Sequence, residues 1–308
     1  MPERRSYPRD QSRLYKVKSP AQLADIFFLQ PHELDLLLDA NENYIRWTDK
    51  KTGREIQRPK PLLEKVHRRA GMLLSRIETP DFLHSAIKGR SYISNAQRHM
   101  PDEPTAKIDV RKFYPSARAQ AVFHFFRDRM LCDGDVAGML ARLLTVDGHL
   151  ATGSSVSPIL SFFAYEDMFT DIEALAIERG CEMTCYVDDM VFTGPGATRR
   201  LIYDIIQIVR QYRLWGHKTK LFKPGQPKVI TGVAVIRVGQ RLPNRRQKTI
   251  ADEMDVLKST RDDAERLAII RRLLGRLYEA AQVDSSWYVT ADAMADEKRG
   301  LERRSARA

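Results

Sequence analysis

Two adjacent carboxylates, Asp188 and Asp189, close the string Tyr186-Val187-Asp188-Asp189, with Met183-Thr184-Cys185 before it and Met190-Val191-Phe192 after it. Apolar flanks of this kind read as buried strands, and the polar tip between them as the turn of a hairpin. Like charges side by side near a core repel, and each carries a desolvation cost unless a counter-ion joins them. A divalent metal is a natural counter-ion. Taken alone, the dipeptide is more readily an ordinary hairpin turn, because Asp is common in turns. A second acidic strand end tips the balance. In Lys107-Ile108-Asp109-Val110-Arg111-Lys112-Phe113-Tyr114 one Asp leaves a short strand and two aromatics follow. Hard cations take oxygen ligands and keep positions open for substrate phosphates. Two such metals on bridging carboxylates activate an attacking hydroxyl and stabilise the leaving oxygen of a phosphoryl transfer. That is the chemistry Asp109, Asp188 and Asp189 suit.

The elements that must position these groups can be read from hydrophobic period. Ala21–Leu38 reads as one or two helices broken at Pro31, and Trp47–Pro61 as a hairpin turning at Lys51-Thr52-Gly53. Leu62–Ile77 carries apolar residues at helical spacing, as do Ala119–Arg129, Val136–Thr145, Leu201–Tyr212 and Ile250–Ala281. Pro158–Ala176 reads as one long helix. Lys107–Val110, the two arms around Asp188, and Val229–Val238 read as strands. The fold class is α+β, with short antiparallel strands packed on helices. The polar, basic first 19 residues are expected to be a flexible arm, and the charged stretch Met294–Ala308 to fray.

The 308 residues carry 51 Lys and Arg against 40 Asp and Glu, a net charge of +11. Between Arg213 and Lys248 lie ten basic residues and no acidic one, and between Lys50 and Arg69 eight basic and two acidic. Solvated helix faces usually mix signs, so these stretches point to a polyanion, and nucleic acid suits them better than membrane phosphate. No run of about 18 apolar residues and no signal peptide is visible, and three cysteines are too few for a disulfide framework. The expected location is the cytoplasm, with no membrane partner.

Tyr-x-Asp-Asp with Asp-x-x-x-Phe-Tyr upstream resembles the reverse transcriptases. Gly153-Ser154-Ser155-Val156-Ser157-Pro158 is similar to their Gly-x-x-x-Ser-Pro loop, Lys218-Thr219 to their downstream basic motif, and Arg54-Glu55-Ile56-Gln57-Arg58-Pro59 to their basic fingers segment. Asn95-Ala96-Gln97-Arg98-His99 resembles the Asn-Ala-x-x-His element of the retron branch, and Ile230-Thr231-Gly232 its Val-Thr-Gly element. The resemblance covers about Ala21 to Tyr288. It departs at Thr152, where Gln is usual, and at Trp215, where Asn is usual.

This resemblance implies a right-hand polymerase: a basic N-terminal arm (1–20), fingers (21–105), palm (106–238), a small helical thumb (239–292) and a charged tail (293–308). It implies that Asp109, Asp188 and Asp189, with the Val110 carbonyl, hold two Mg²⁺, for which Mn²⁺ can substitute. Arg54, Phe113, Tyr114, Thr152, Gly153 and Lys218 (or Lys220) would bind the incoming nucleotide, Tyr114 excluding a 2′-OH. Asn95, His99, Thr231, Gly232, Arg245, Arg246 and Arg272 would bind RNA, although a lone His is more often structural. The implied partners are a structured non-coding RNA of the msr-msd type, its DNA product, dNTPs, a separate effector protein acting in anti-phage defence, and a host RNase H, since no RNase H segment is evident. The implied activity is priming from an RNA 2′-OH to give a branched RNA–DNA molecule, msDNA. Two other readings stay open: a group II intron-like or abortive-infection reverse transcriptase that primes differently, and a non-catalytic RNA-binding scaffold.

Overall fold

The computed structural model describes residues 6–40, 42–99, 102–237 and 239–305. The chain is α+β and divides into two compact units, Met1–Ser91 with Thr105–Leu221, and Tyr92–Pro104 with Phe222–Ala308. The division cuts across the expected borders: 92–104 lies in the expected fingers and 222–238 in the expected palm.

In the first unit, helices α1 (Pro20–Phe27) and α2 (Pro31–Asp39) precede a hairpin of β1 (Tyr44–Thr48) and β2 (Glu55–Pro59). The Ser19 hydroxyl accepts from the Gln22 N–H and Pro20 opens α1, while Gln30 and Glu33 form a capping box on α2. Helix α3 (Pro61–Leu74) buries Leu63, Val66, Ala70, Leu73 and Leu74 along one stripe. A four-stranded sheet follows in the order β4-β5-β3-β6, built from β3 (Thr105–Val110), β4 (Glu182–Tyr186), β5 (Asp189–Thr193) and β6 (Gly216–Phe222, ending at the unit border). Strand β5 is antiparallel to both β3 and β4. Two later helices of this unit, α9 (Glu166–Glu178) and α10 (Arg199–Gln211), pack on β4 and β3 respectively. Phe126, Phe162, Phe169 and Phe192 fill the core between sheet and helices.

The remaining helices of this unit are α5 (Phe113–Ser116), α6 (Ala119–His124), α7 (Gly134–Leu144) and α8 (Ser157–Ala164). The second unit holds α4 (Tyr92–Gln97), a three-stranded antiparallel sheet β7 (Lys228–Ile230), β8 (Val233–Ile236) and β9 (Gly239–Arg241), and helices α11 (Asn244–Ser259), α12 (Asp263–Val283) and α13 (Trp287–Ser305). Its own core joins Leu242, Ile250, Leu257, Ile270, Leu273 and Leu277.

Four expectations change. Pro158–Ala176 is two helices, α8 and α9, broken at Tyr165, where Glu166 and Asp167 supply acidic residues to a fresh N-terminus. Ala119–Arg129 leaves the α form after His124 and closes as a π turn. The N-terminal segment is not a free arm over its described part: Leu14 and Val17 are fully buried, the Tyr7 N–H donates to the Arg76 carbonyl, and Arg9 pairs with Glu166 at 2.5 Å. Arg4 and Arg5 lie outside the described residues, as does Val238. The C-terminal stretch is helical to Ser305 because Ala291 and Leu301 give α13 a buried face. All three cysteines are buried, and none is in a disulfide. Among the described residues no helix is long and apolar enough to cross a membrane.

Candidate active site

Strand register carries the site. In the β3–β5 ladder Asp109 stands directly opposite Asp189, and in the β4–β5 ladder Tyr186 stands opposite the same Asp189. Val187 and Asp188 are therefore the two-residue turn of the hairpin. Val187 has φ +63°, a left-handed conformation that a β-branched residue rarely adopts. Its N–H donates to the Ser85 hydroxyl at 3.0 Å, and the Asp188 carbonyl accepts from the Val110 N–H at 3.1 Å. These bonds hold the strained turn against the end of β3.

Side chains two apart on a strand share a face, so Lys107 and Asp109 of β3 lie on one side of the sheet. Lys107 reaches diagonally to Asp189, its Nζ 2.6 Å from Oδ2. The other oxygen of Asp189, Oδ1, is buried with no hydrogen-bond partner among the described residues. Burial pushes the Asp188 carboxyl up to about 6, with the charge of Asp109 next in effect. Burial raises Asp189 as well, against the opposing pull of Lys107. Negative charge is thus gathered where water is scarce, with one ammonium against it. Among the described residues no three His, Cys, Asp or Glu side chains are drawn together at metal-ligating distance. In donor type and backbone register the three carboxylates suit a divalent cation, and the orphaned Asp189 oxygen is a ready ligand atom.

Around this centre the expected nucleotide-binding residues divide. Tyr114 is half-buried, and burial and the Asp188 charge both raise its hydroxyl pKa, so it stands within electrostatic reach of the turn. Arg54 is exposed on the hairpin and its charge acts on Asp188 in the opposite sense. Phe113 is buried, its ring packed against Tyr165 and Phe169. The Thr152 hydroxyl donates to the Glu55 carbonyl at 2.7 Å and accepts from the Gln57 N–H at 3.2 Å, which ties its loop to β2. Gly153 completes that seam: its N–H donates to the Gln57 carbonyl, and a Cβ there would sit 2.9 Å from the same oxygen. Ser157 donates to the Ala151 carbonyl at 2.7 Å while Pro158 opens α8, which is the local reason for the Ser-Pro pair. Lys218 and Lys220 are both exposed on β6.

His67 was not foreseen. It is fully buried, its Nε2–H donating to the Leu143 carbonyl at 2.8 Å and its Nδ1 accepting from the Ser154 hydroxyl at 2.5 Å. Burial drops its pKa to about 4, so the ring is neutral and pins α3 and α7 to the Gly-x-x-x-Ser-Pro loop.

The residues expected to bind RNA fall in the second unit. The Asn95 and His99 side chains are buried. The Asn95 amide lies 3.5 Å from the Thr231 hydroxyl, which donates to the Tyr92 carbonyl at 2.7 Å. Thr231 and Gly232 form a turn with φ +45° and +88°, and the Gly232 carbonyl accepts from Arg246. Arg246 also pairs with Glu279 and lies over the Tyr92 ring. The two sequence elements are thus one structural knot, with Arg246 neutralised inside it. Arg245 and Arg272 remain exposed.

No family model matches the chain. It is 26% identical over 180 residues to the Retron Se72 reverse transcriptase of Salmonella heidelberg, covering 55% of this chain and 46% of the relative. It is 25% identical over 244 residues to the Retron Mx162 reverse transcriptase of Myxococcus xanthus, covering 68% and 50%. With the Retron Mx65 reverse transcriptase of the same organism it shares 26% over 209 residues, covering 59% and 48%. The chain is similar to retron reverse transcriptases. It spans about half the length of each of these three.

Proposed function

We propose that the protein is an RNA-directed DNA polymerase of the retron type. The observation that carries this is the placement of Asp109 opposite Asp189 beside a strained turn bearing Asp188. On this reading the four-stranded sheet is the palm, the β1–β2 hairpin belongs to the fingers, and the helices after Asn244 form the thumb.

Asp109, Asp188 and Asp189 would hold two Mg²⁺, which when bound lower the barrier to attack by a primer hydroxyl and neutralise the leaving pyrophosphate. The chain's own residues do the rest. Arg54 offers a planar fork to triphosphate oxygens. Tyr114, held by its burial, sets a wall beneath the sugar that a 2′-OH meets. Lys218 or Lys220 supplies a cation on β6 for the departing phosphate. The strained turn would hold Asp188 at the end of the sheet next to Asp189.

The substrate is a structured non-coding RNA of the msr-msd type, primed at one of its own 2′-OH groups and copied in part, with host RNase H removing template. The exposed Arg245 and Arg272 and the basic run from Arg213 to Lys248 would meet its phosphates, by shape more than by sequence. A separate effector protein would complete an anti-phage system in the cytoplasm. The test is the nucleic acid that co-purifies with the protein expressed alongside its flanking DNA. A short DNA whose gel mobility changes on RNase or debranching treatment supports the proposal, and RNA with no DNA contradicts it.

A further inference from the structure

Away from the carboxylates, the first unit carries two neighbouring clefts of about 450 and 360 Å³ that share two lining side chains, Arg118 and Arg213. Each has the size of a small-ligand site, about 300–1,000 Å³. Neither guanidinium forms an ion pair or hydrogen bond among the described residues, although the acids nearby are all engaged. Asp167 is paired with Arg129, Asp128 with Arg127, Glu166 with Arg9 and Asp147 with Arg46. The clefts therefore present two uncompensated forks on a neutralised rim. In the smaller cleft they face His149 and Trp215, and Trp215 is 56% exposed, a large apolar residue left in water.

The mounting is rigid. Arg118 sits in a short bridge with His149, flanked by the Ala119 N–H on the Gly148 carbonyl at 2.8 Å and the Leu150 N–H on the Ala117 carbonyl at 3.0 Å. The Trp215 carbonyl accepts from the Arg111 N–H at 2.8 Å, two residues beyond Asp109, so the cleft begins beside the catalytic strand. Arg213 is held at φ +58° at the end of α10, where its N–H bonds the Arg210 carbonyl and the Leu214 N–H the Val209 carbonyl. That is a Schellman cap, whose left-handed position favours Gly. A charged residue in a position that suits Gly, its guanidinium without a partner among the described residues, is strain without a structural return.

We propose that Arg118, Arg213 and Trp215 form a track for a single strand of nucleic acid passing beside the catalytic strand, the two guanidiniums gripping successive phosphates and Trp215 stacking a base. Forked cations match phosphate oxygens, and an exposed aromatic accepts any base face. Two clefts joined through shared cations suit a chain of repeating phosphates better than one small anion. The inference deepens the polymerase reading by adding a strand contact outside the nucleotide pocket, but the binding itself needs no catalysis.

Arg213→Gly separates function from folding, because the cap prefers Gly and the melting temperature should hold or rise. Binding of a fluorescein-labelled 12-nucleotide single strand, as RNA and as DNA of the same sequence, is measured by anisotropy across a KCl series with the full chain. Losing two phosphate contacts in Arg118→Ala with Arg213→Gly should flatten the log–log salt slope by about 1.4. Trp215→Ala should weaken binding about tenfold, within the range for one lost stack. A 5-iodouracil-substituted strand should photocrosslink to the Trp215 peptide. A slope that flattens with RNA alone assigns the track to RNA, with DNA alone to the product, and with both to either strand. An unchanged slope with both, or crosslinks confined to other parts of the chain, overturns the proposal and leaves these clefts to an acidic protein partner. If the full chain incorporates no dNTP while the slope still flattens, the polymerase reading fails and the track stands.

Discussion

Acidification should unseat the loop that His67 holds. The unfolded imidazole takes a proton near pH 6.5, whereas the buried ring resists until about pH 4. Above pH 7.5 both states are neutral and the group contributes nothing to pH dependence. As pH falls from 6.5 towards 4 only the unfolded chain gains the proton, so stability is lost at about 1.4 kcal/mol per pH unit. At pH 4.5 the loss from this one group is about 2.5 kcal/mol, worth about 5–10 °C for a unit of this size. Other groups titrate over the same range, so the measurement is a difference. His67→Leu takes the acceptor from the Ser154 O–H and the donor from the Leu143 carbonyl, and should cost about 2–4 kcal/mol at pH 7.5. Because Leu cannot titrate, that gap should narrow by about 2.5 kcal/mol at pH 4.5. Urea unfolding of both proteins at the two pH values reads it directly. Parallel stability curves, with the gap unchanged, would refute the assignment of a neutral, buried His67.

Three further expectations rest on other parts of the site. Lys107→Met removes the one ammonium against Asp189, in a pair whose side chains are each 19% exposed, and should cost about 1–3 kcal/mol, between the surface and buried limits; added Mg²⁺ should raise the melting temperature of this variant more than that of the parent, and equal shifts would argue against a cation-seeking site. Gly153→Ala drives a Cβ against the Gln57 carbonyl and Ile56, and should destabilise the seam between loop and hairpin by about 1–3 kcal/mol in thermal unfolding; a neutral effect would mean that the seam yields. Tyr114→Ala should raise ribonucleotide incorporation relative to deoxyribonucleotide by about tenfold or more in single-nucleotide extension, and an unchanged ratio would remove Tyr114 as the sugar gate.

Much of the site could be read from residue order because its parts are local. Asp188 and Asp189 sit between apolar arms that declare a hairpin, and Asp109 ends a strand marked by its alternation. What register adds was out of reach: Lys107 shares a strand face with Asp109 by simple period two, but its partnership with Asp189 depends on which strands pair. His67 lies on the apolar stripe of α3 with Leu63, Val66 and Ala70, a position that period alone flags, though its bonds to Leu143 and Ser154 span 76 and 87 residues. The packing of Phe113 against Tyr165 and Phe169 and the bonds of Thr152 to β2 were out of reach for the same reason. Leu14 and Val17 were hidden among basic neighbours, and the joining of 92–104 to the C-terminal unit rests on contacts across more than 120 residues, such as Lys228 Nζ on the Glu103 carbonyl at 3.1 Å.

The central claim is that Asp109, Asp188 and Asp189 form the catalytic centre of an RNA-copying polymerase. The most direct measurement is incorporation of labelled dNTPs on a primed RNA template with Mg²⁺, comparing the parent with Asp188→Ala combined with Asp189→Ala, alongside RNA binding by both. Template-directed DNA synthesis by the parent, abolished in the double variant while RNA binding persists, is the expected result. Equal synthesis by both proteins, or none by either on any primed RNA, would contradict the account.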